Sequence, residues 1–231
     1  MTPATPQDSR ATAAAMESLY PFLYAGKTDL DAVMAEVRQS IVAKTHEIVE
    51  LRRLVAVRDA GRLRSCAEEM ASRFMAGGRL LAFGNGGSAT DAQQLATLFL
   101  DPGGSEPPLP AFGLANDTAV VTALCNDIGV EVVFARQIAA FGGPQDIAVA
   151  LSTSGNSENL LRGLDEATRR GLLTVGIAGY DGGKMSELDG LDYLFVAPSS
   201  SVHRIQEAQT TIYHALWELT LAALGDGGSP R

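Results

Sequence analysis

Five short apolar runs, RLLAFG (79–84), AFGLA (111–115), DIAVALS (146–152), LTVGIAG (173–179) and DYLFVA (192–197), are separated by stretches of helical periodicity. A run that is apolar at nearly every position has no polar face to show to water, so it must be covered on both sides. Strands of that kind joined by helices form a parallel sheet, because a parallel neighbour is reached only by a crossover long enough to hold a helix. The intervening helices are expected at about 88–99, 117–125, 129–140 and 157–170, with a last one at about 202–223. The expected class is α/β, a three-layer sandwich with a five-stranded parallel sheet flanked by helices.

Ahead of the first run, Leu30, Val33, Val37, Ile41, Ile48 and Leu51 recur at helical spacings, which predicts a helix from Asp29 to about Val57. A second helix is expected at about 62–75, ended by Gly77 and Gly78. Neither can bury an apolar face alone; they pack on the sheet, on each other or across a subunit boundary. Residues 1–14 are small and polar with two prolines and are expected to be poorly ordered, whereas 16–26 (MESLYPFLYAG) carries aromatic and aliphatic side chains that need cover from the same domain or a neighbouring subunit. The 231 residues leave no room for a second independent domain, so the expected organisation is an extension (1–27), one domain (28–225) and a tail (226–231).

With 18 Lys and Arg against 27 Asp and Glu, the formal charge is -9, which excludes a broad electrostatic footprint for direct nucleic-acid binding. No apolar run approaches the roughly 18 residues of a membrane span. Cys66 and Cys125 have no metal-ligand spacing, and the amino terminus lacks the basic-then-apolar order of a signal peptide, so the expected location is the cytoplasm.

In parallel sheets ligands bind beyond the carboxyl ends of the strands, so the segments after each run matter most. After the first comes GNGGSATDAQQ (84–94), three glycines with Asn85 and Ser88 leading into a helix, which lets backbone approach a ligand and aims free amides at an anion. Gly84, Gly86 and Ala89 match a dinucleotide fingerprint as letters, but the next run ends near Asn116 and Asp117 with no acid spaced for a ribose. After the third comes STSGNSEN (152–159), with hydroxyls at Ser152, Thr153, Ser154 and Ser157 at the mouth of a helix. Hydroxyls with unpaired helical amides surround phosphate oxygens without a formal positive charge, and four exceed what capping needs. No Walker lysine motif is present. After the fourth comes GYDGGKM (179–185), a tight turn in which Lys184 either approaches the ligand or lies on the surface. On the last helix Gln206, Thr210 and His214 share one stripe, and a glutamine and a histidine two turns apart can hold a metal or a substrate hydroxyl, while Ile205, Ile212, Leu216 and Leu219 fall on apolar ground.

With GNGGSATDAQ, STSGNS, DGGKM and RIQE in this order, the chain over about 30–224 resembles the sugar isomerase (SIS) domain family, and within it the sedoheptulose-7-phosphate (phosphoheptose) isomerases. The resemblance implies a homotetramer with sites at subunit boundaries and a heptose-phosphate-like sugar as ligand. It implies that Asn85, Gly86, Gly87 and Ser88 face the sugar phosphate, that Ser152, Thr153, Ser154 and Ser157 form its cradle, and that Asp127 lies on the substrate side. It also implies Gln206 and His214 as zinc ligands, with His214 the catalytic acid. Here the chain departs from the pattern. Where these isomerases carry a His and, four residues on, a Glu as ligands and base, it has Gln94 and Leu98; Pro102 replaces an arginine and His203 an acid. Gln94, Gln206 and His214 alone make a weak zinc site, since amide oxygens are poor ligands for zinc. The expectation is an aldose–ketose isomerase with a replacement base, His203 or Glu207; the alternatives are a phosphosugar sensor, the inactive partner of a paralogous subunit, or a scaffold that associates with the replication initiator, as a sister group of the family does.

Overall fold

All five apolar runs become strands: β1 Leu80–Gly84, β2 Ala111–Gly113, β3 Ile147–Leu151, β4 Leu173–Gly179 and β5 Tyr193–Ala197. The computed structural model describes residues 30–103 and 106–227. The expected extension 1–27, with its apolar segment 16–26, and residues 228–231 of the tail lie outside the described residues. The sheet is wholly parallel, in the order β2-β1-β3-β4-β5. Register pairs Leu80 with Ala111 on one side and Ile147 on the other, then Ile147 with Leu173 and Val175 with Tyr193.

β1, β3 and β4 are buried at every position, which explains why alanine-rich strands such as IAVAL hold. Strand propensities span only about 1 kcal/mol, whereas burying one Val, Leu, Ile or Phe side chain stabilises by about 1.5–3 kcal/mol. On one face Leu80, Ala82 and Val149 pack with Cys66, Met70 and Phe74 of α1 (Leu30–Met75), Leu95 and Phe99 of α2 (Gly87–Leu100) and Ile212 and Leu216 of α6 (Val202–Gly227). On the other, Leu81, Phe83 and Ala150 meet Phe134 and Ile138 of α4 (Val133–Phe141) and Leu160 and Leu164 of α5 (Glu158–Arg169). α3 (Thr118–Asp127) has no fully buried residue and touches this second core through Val121, Leu124 and Cys125. Among the described residues no helix is long and apolar enough to cross a membrane.

Two expectations are corrected. The two helices ahead of β1 are one, since α1 runs unbroken for 46 residues through Gly61. A lone interior glycine costs only about 1 kcal/mol, and the apolar face continues across it from Val55 to Leu63 and Cys66. Leu219, expected on apolar ground, is 36% exposed, whereas Ile205, Ile212 and Leu216 are buried. The chain divides into two compact units, 1–46 and 47–231. In the first, the described residues are helical, and Leu30, Val33, Met34, Val37, Ile41 and Val42 are exposed.

Candidate functional site

The chain runs from β1 out to β2 and returns on the other side to β3, so β1 and β3 are neighbours whose following loops diverge. Such a switch point opens a crevice at the strands' carboxyl ends. Here a cavity of about 80 Å³ is lined by Asn85 from the loop after β1, Ser88 from the first turn of α2, and Ser152, Thr153, Ser154 and Ser157 from the loop after β3. Six of the residues picked out from the sequence are thus brought together. Water occupies about 30 Å³ in the liquid, so the space suits a group the size of a compact tetrahedral anion.

Backbone geometry enforces the shape. A Cβ on Gly84 would lie 2.4 Å from the Ser88 carbonyl oxygen, so only glycine lets the chain turn there. Gly155 has φ +67° and a Cβ on it would meet the Gly182 carbonyl at 2.0 Å. That contact assigns the DGGKM turn: Met185 N donates to Gly155 O at 2.9 Å and Lys184 N to Asn156 Oδ1 at 2.9 Å, so the turn buttresses the cradle while Lys184 stays exposed.

Three of the hydroxyls differ in what they hold. Ser152 Oγ accepts from Gly155 N at 2.9 Å and Ser154 Oγ from Asn156 N at 3.3 Å; an accepting hydroxyl still has its proton to donate. Ser157 is the N-cap of α5 but makes no side-chain cap bond, which argues against an ordinary capping role and leaves its hydroxyl for the cavity. Gly86, with φ +53°, likewise begins α2 without a side-chain cap. Both helices present unpaired amides and the positive end of their dipoles at the strand ends.

Three further polar positions are not singled out by the sequence. Asn159 exchanges side-chain hydrogen bonds with Asn85. Gln209, fully buried, donates from Nε2 to Ser152 O at 2.7 Å and Ile177 O at 3.2 Å, tying α6 to the cradle. Asp91 on α2 has a buried Oδ2 without a hydrogen-bond partner, and burial pushes its carboxyl above the usual carboxylate range. Burial also raises the Tyr213 phenol, with the nearby Thr210 hydroxyl opposing the rise and the Asp91 charge adding to it. A lone polar residue on an otherwise buried helix face is the available signal for Gln209 and Asp91.

The α6 stripe lies beside α2: a Cβ on Gly87 would fall 2.3 Å from Gln206 Nε2. His214 stacks on Tyr213 with centroids 5.2 Å apart, meets Trp217 edge-on at 6.1 Å, and lines a separate hollow with Arg52, Thr210 and Glu218. His203 is exposed in the first turn of α6, and Glu207 is ion-paired with Arg204. Asp127 ends α3, exposed and bonded by Asn126 Nδ2 at 2.7 Å; it lines none of these cavities. Gln94 is exposed, and Leu98 packs half-buried on the core that Trp217 also borders. Among the described residues no three His, Cys, Asp or Glu side chains cluster so as to hold a metal. One imidazole, two amides and a leucine do not fit zinc, which prefers nitrogen, sulfur and carboxylate donors.

Residues 45–179 match the model of the SIS domain. Phosphoheptose isomerase of Aquifex aeolicus is 44% identical over 65% of this chain and 78% of its own length. That of Nitratidesulfovibrio vulgaris (strain Miyazaki F) is 40% identical over 79% of this chain and 88% of its own. The solved phosphoheptose isomerase of Francisella tularensis superposes with a TM-score of 0.72 at 31% identity, covering 84% of this chain and 98% of that one. The chain belongs to the SIS domain family, in the company of the phosphoheptose isomerases.

Proposed function

We propose that this protein is a phosphosugar isomerase of the phosphoheptose type, which seats the phosphate of a heptose phosphate in the cradle and interconverts its ketose and aldose forms. The observation that carries this reading is the cavity between the loops after β1 and β3, ringed by hydroxyls and helix amides and free of cationic side chains. Hydroxyl protons of Ser88, Ser152, Thr153, Ser154 and Ser157, the Asn85 amide and the backbone of Gly86 and Gly87 bind the phosphate, and the dipoles of α2 and α5 add partial positive charge.

In the reaction a base removes the C1 proton of the ketose. The electron pair becomes the C1–C2 double bond as the C2 oxygen takes a proton. Return of a proton to C2 with loss of the O1 proton gives the aldose. Gln206 is suited to orient a sugar hydroxyl and His214 to carry the proton at oxygen, with Asp127 on the substrate side. Leu98 leaves the carbon proton to another group, for which His203 and Glu207, one turn apart at the start of α6, are the candidates. No step is routed through zinc. The proposed enzyme is a homotetramer built from the domain 28–225, and the exposed apolar residues Leu30, Val33, Met34, Val37, Ile41 and Val42 support self-association.

A second reading, a phosphosugar-binding subunit without chemistry of its own, is favoured by one observation: Leu98 packs half-buried against the apolar core, where it neither titrates nor binds a metal. Proton NMR of the full chain with sedoheptulose 7-phosphate in deuterium oxide separates the two. Deuterium entering C1 or C2, or the aldose appearing, is the outcome expected of the isomerase. Ligand-dependent line broadening without exchange would leave the binding subunit, and a spectrum unaltered by the protein would overturn both.

A further inference from the structure

At the β2 edge of the sheet, a groove of about 360 Å³ opens between β2, α3 and α4. It shares no residue with the cradle. Leu81, Phe112, Val120 and Phe141 give it apolar walls, and its size falls in the range of small-molecule sites, about 300–1,000 Å³. Three polar side chains complete it.

Gln137 is only 6% exposed. Its Nε2 donates to Leu114 O at 3.0 Å and Val133 O at 3.1 Å, and two carbonyl acceptors fix which end of the amide is nitrogen. Oε1 is therefore the end left for the groove, a nearly buried acceptor with no donor among the described residues. Asp117 caps α3 through Oδ1, which accepts from Val120 N at 3.0 Å, and its second oxygen has no protein partner among the described residues. Arg79 is held by Asp146 through Nε at 3.4 Å and Nη2 at 3.0 Å, and Nη2 also donates to Phe141 O; Nη1 has no acceptor among the described residues.

These groups are divided between two ends. Gln137 and Asp117 are both tied to the residues just after β2, while Arg79 reaches Phe141, one turn along α4 from Gln137 and about 6 Å further on. Two acceptors thus belong to the end by the residues after β2 and one donor to the other end, with the apolar walls between them. Asp146 already offsets the Arg79 charge, but Asp117 has no cationic partner among the described residues, so the acceptor end attracts more strongly.

We propose that this groove binds a small aromatic molecule with an amine at one end and a carboxylate at the other. The ammonium donates to Gln137 Oε1 and Asp117, the ring lies among Phe112, Val120 and Phe141, and the carboxylate accepts from Arg79 Nη1. The site stands independently of the phosphosugar reading.

The test titrates the full chain with 4-(aminomethyl)benzoate, benzylamine and benzoate, by calorimetry and by saturation transfer to the ring protons. 4-(Aminomethyl)benzoate binds most tightly, benzylamine about three- to tenfold more weakly and benzoate more weakly still. Val120→Trp, at a part-exposed position, fills the groove and weakens binding at least about tenfold, with inorganic phosphate binding unchanged. Asp117→Asn, which can still cap α3, removes the preference for the amine. Absence of saturation transfer at millimolar ligand overturns the proposal, as does equal binding to Val120→Trp or benzoate matching the bifunctional probe. A change of oligomer mass in Val120→Trp, with no ligand bound by the native chain, would identify the groove as a contact between copies and equally overturn it.

Discussion

Asn85 and Asn159 hold each other by their side-chain amides, each Nδ2 donating to the other's Oδ1 at 2.9 Å. The pair ties the loop after β1 to the first turn of α5, the two walls of the cradle. Asn159→Ala removes both bonds, and at about 0.5–1.5 kcal/mol net for each the expected loss is about 1–3 kcal/mol of unfolding free energy. Phosphate binding weakens with it, because Asn85 loses its orientation. Asn159→Asp keeps one bond but brings a negative charge to the proposed phosphate site. It is therefore expected to retain more stability than the alanine variant and to bind phosphate less well. Urea unfolding and phosphate calorimetry on the two variants check both orders.

Ser154 and Ser157 contribute little to holding their loop, since one hydroxyl accepts a long 3.3 Å bond and the other caps nothing. Replacing both with alanine is expected to leave the melting temperature nearly unchanged and to weaken phosphosugar affinity at least about tenfold, or about 1.4 kcal/mol. Ser152→Ala differs, because its buried oxygen accepts from Gly155 N at 2.9 Å. It lowers both affinity and melting temperature. Unchanged affinity in the double variant would remove the cradle assignment.

The strands and the cradle are legible in the sequence because both depend on short-range patterns. β4 follows its apolar run from Leu173 to Gly179, and four hydroxyls within six residues surround one glycine. What stays hidden depends on the order of strands and on long-range partners. Nothing local to Asn159 names Asn85, 74 residues away, as its partner, and Gln209 reads as one more polar residue on α6 until Ser152 O is found beside it. The break expected between Val57 and residue 62 fails because the apolar face continues across it in the fold, from Val55 to Leu63 and Cys66.

Asp91 sets a pH dependence. Burial raises its folded-state pKa above the unfolded carboxylate value, so between the two values the folded chain binds more protons than the unfolded one. Stability therefore falls as pH rises through that window, and the cost of the buried charge is fully present above the folded pKa. Asp91→Asn removes that cost. Its melting temperature is expected to exceed that of the native chain at pH 7, with the gain shrinking as pH is lowered through the window toward the unfolded value, where Asp91 becomes protonated in both states. Calorimetric scans from pH 4 to 7 read this directly; a gain independent of pH would mean that the orphaned Oδ2, and not the charge, is the source.

Gln94 and Leu98 lie one turn apart on α2, which packs against the helix that carries Gln206 and His214. Converting them to His and Glu supplies a nitrogen and a carboxylate at the i, i+4 spacing that places two ligands on one helical face. Leu98→Glu alone forfeits half-buried packing and introduces a charge at the core's edge, so it is expected to lower stability without gaining a metal. The paired change, Gln94→His with Leu98→Glu, is expected to retain about one zinc per chain after desalting. It should recover stability when zinc is added and increase deuterium exchange into the sugar relative to the native chain. Recovery of stability with no gain in exchange would mean that a ligand site forms but the carbon proton lies out of reach of the carboxylate introduced on α2. No zinc uptake at all would mean that Gln206 and His214 are not aimed at α2.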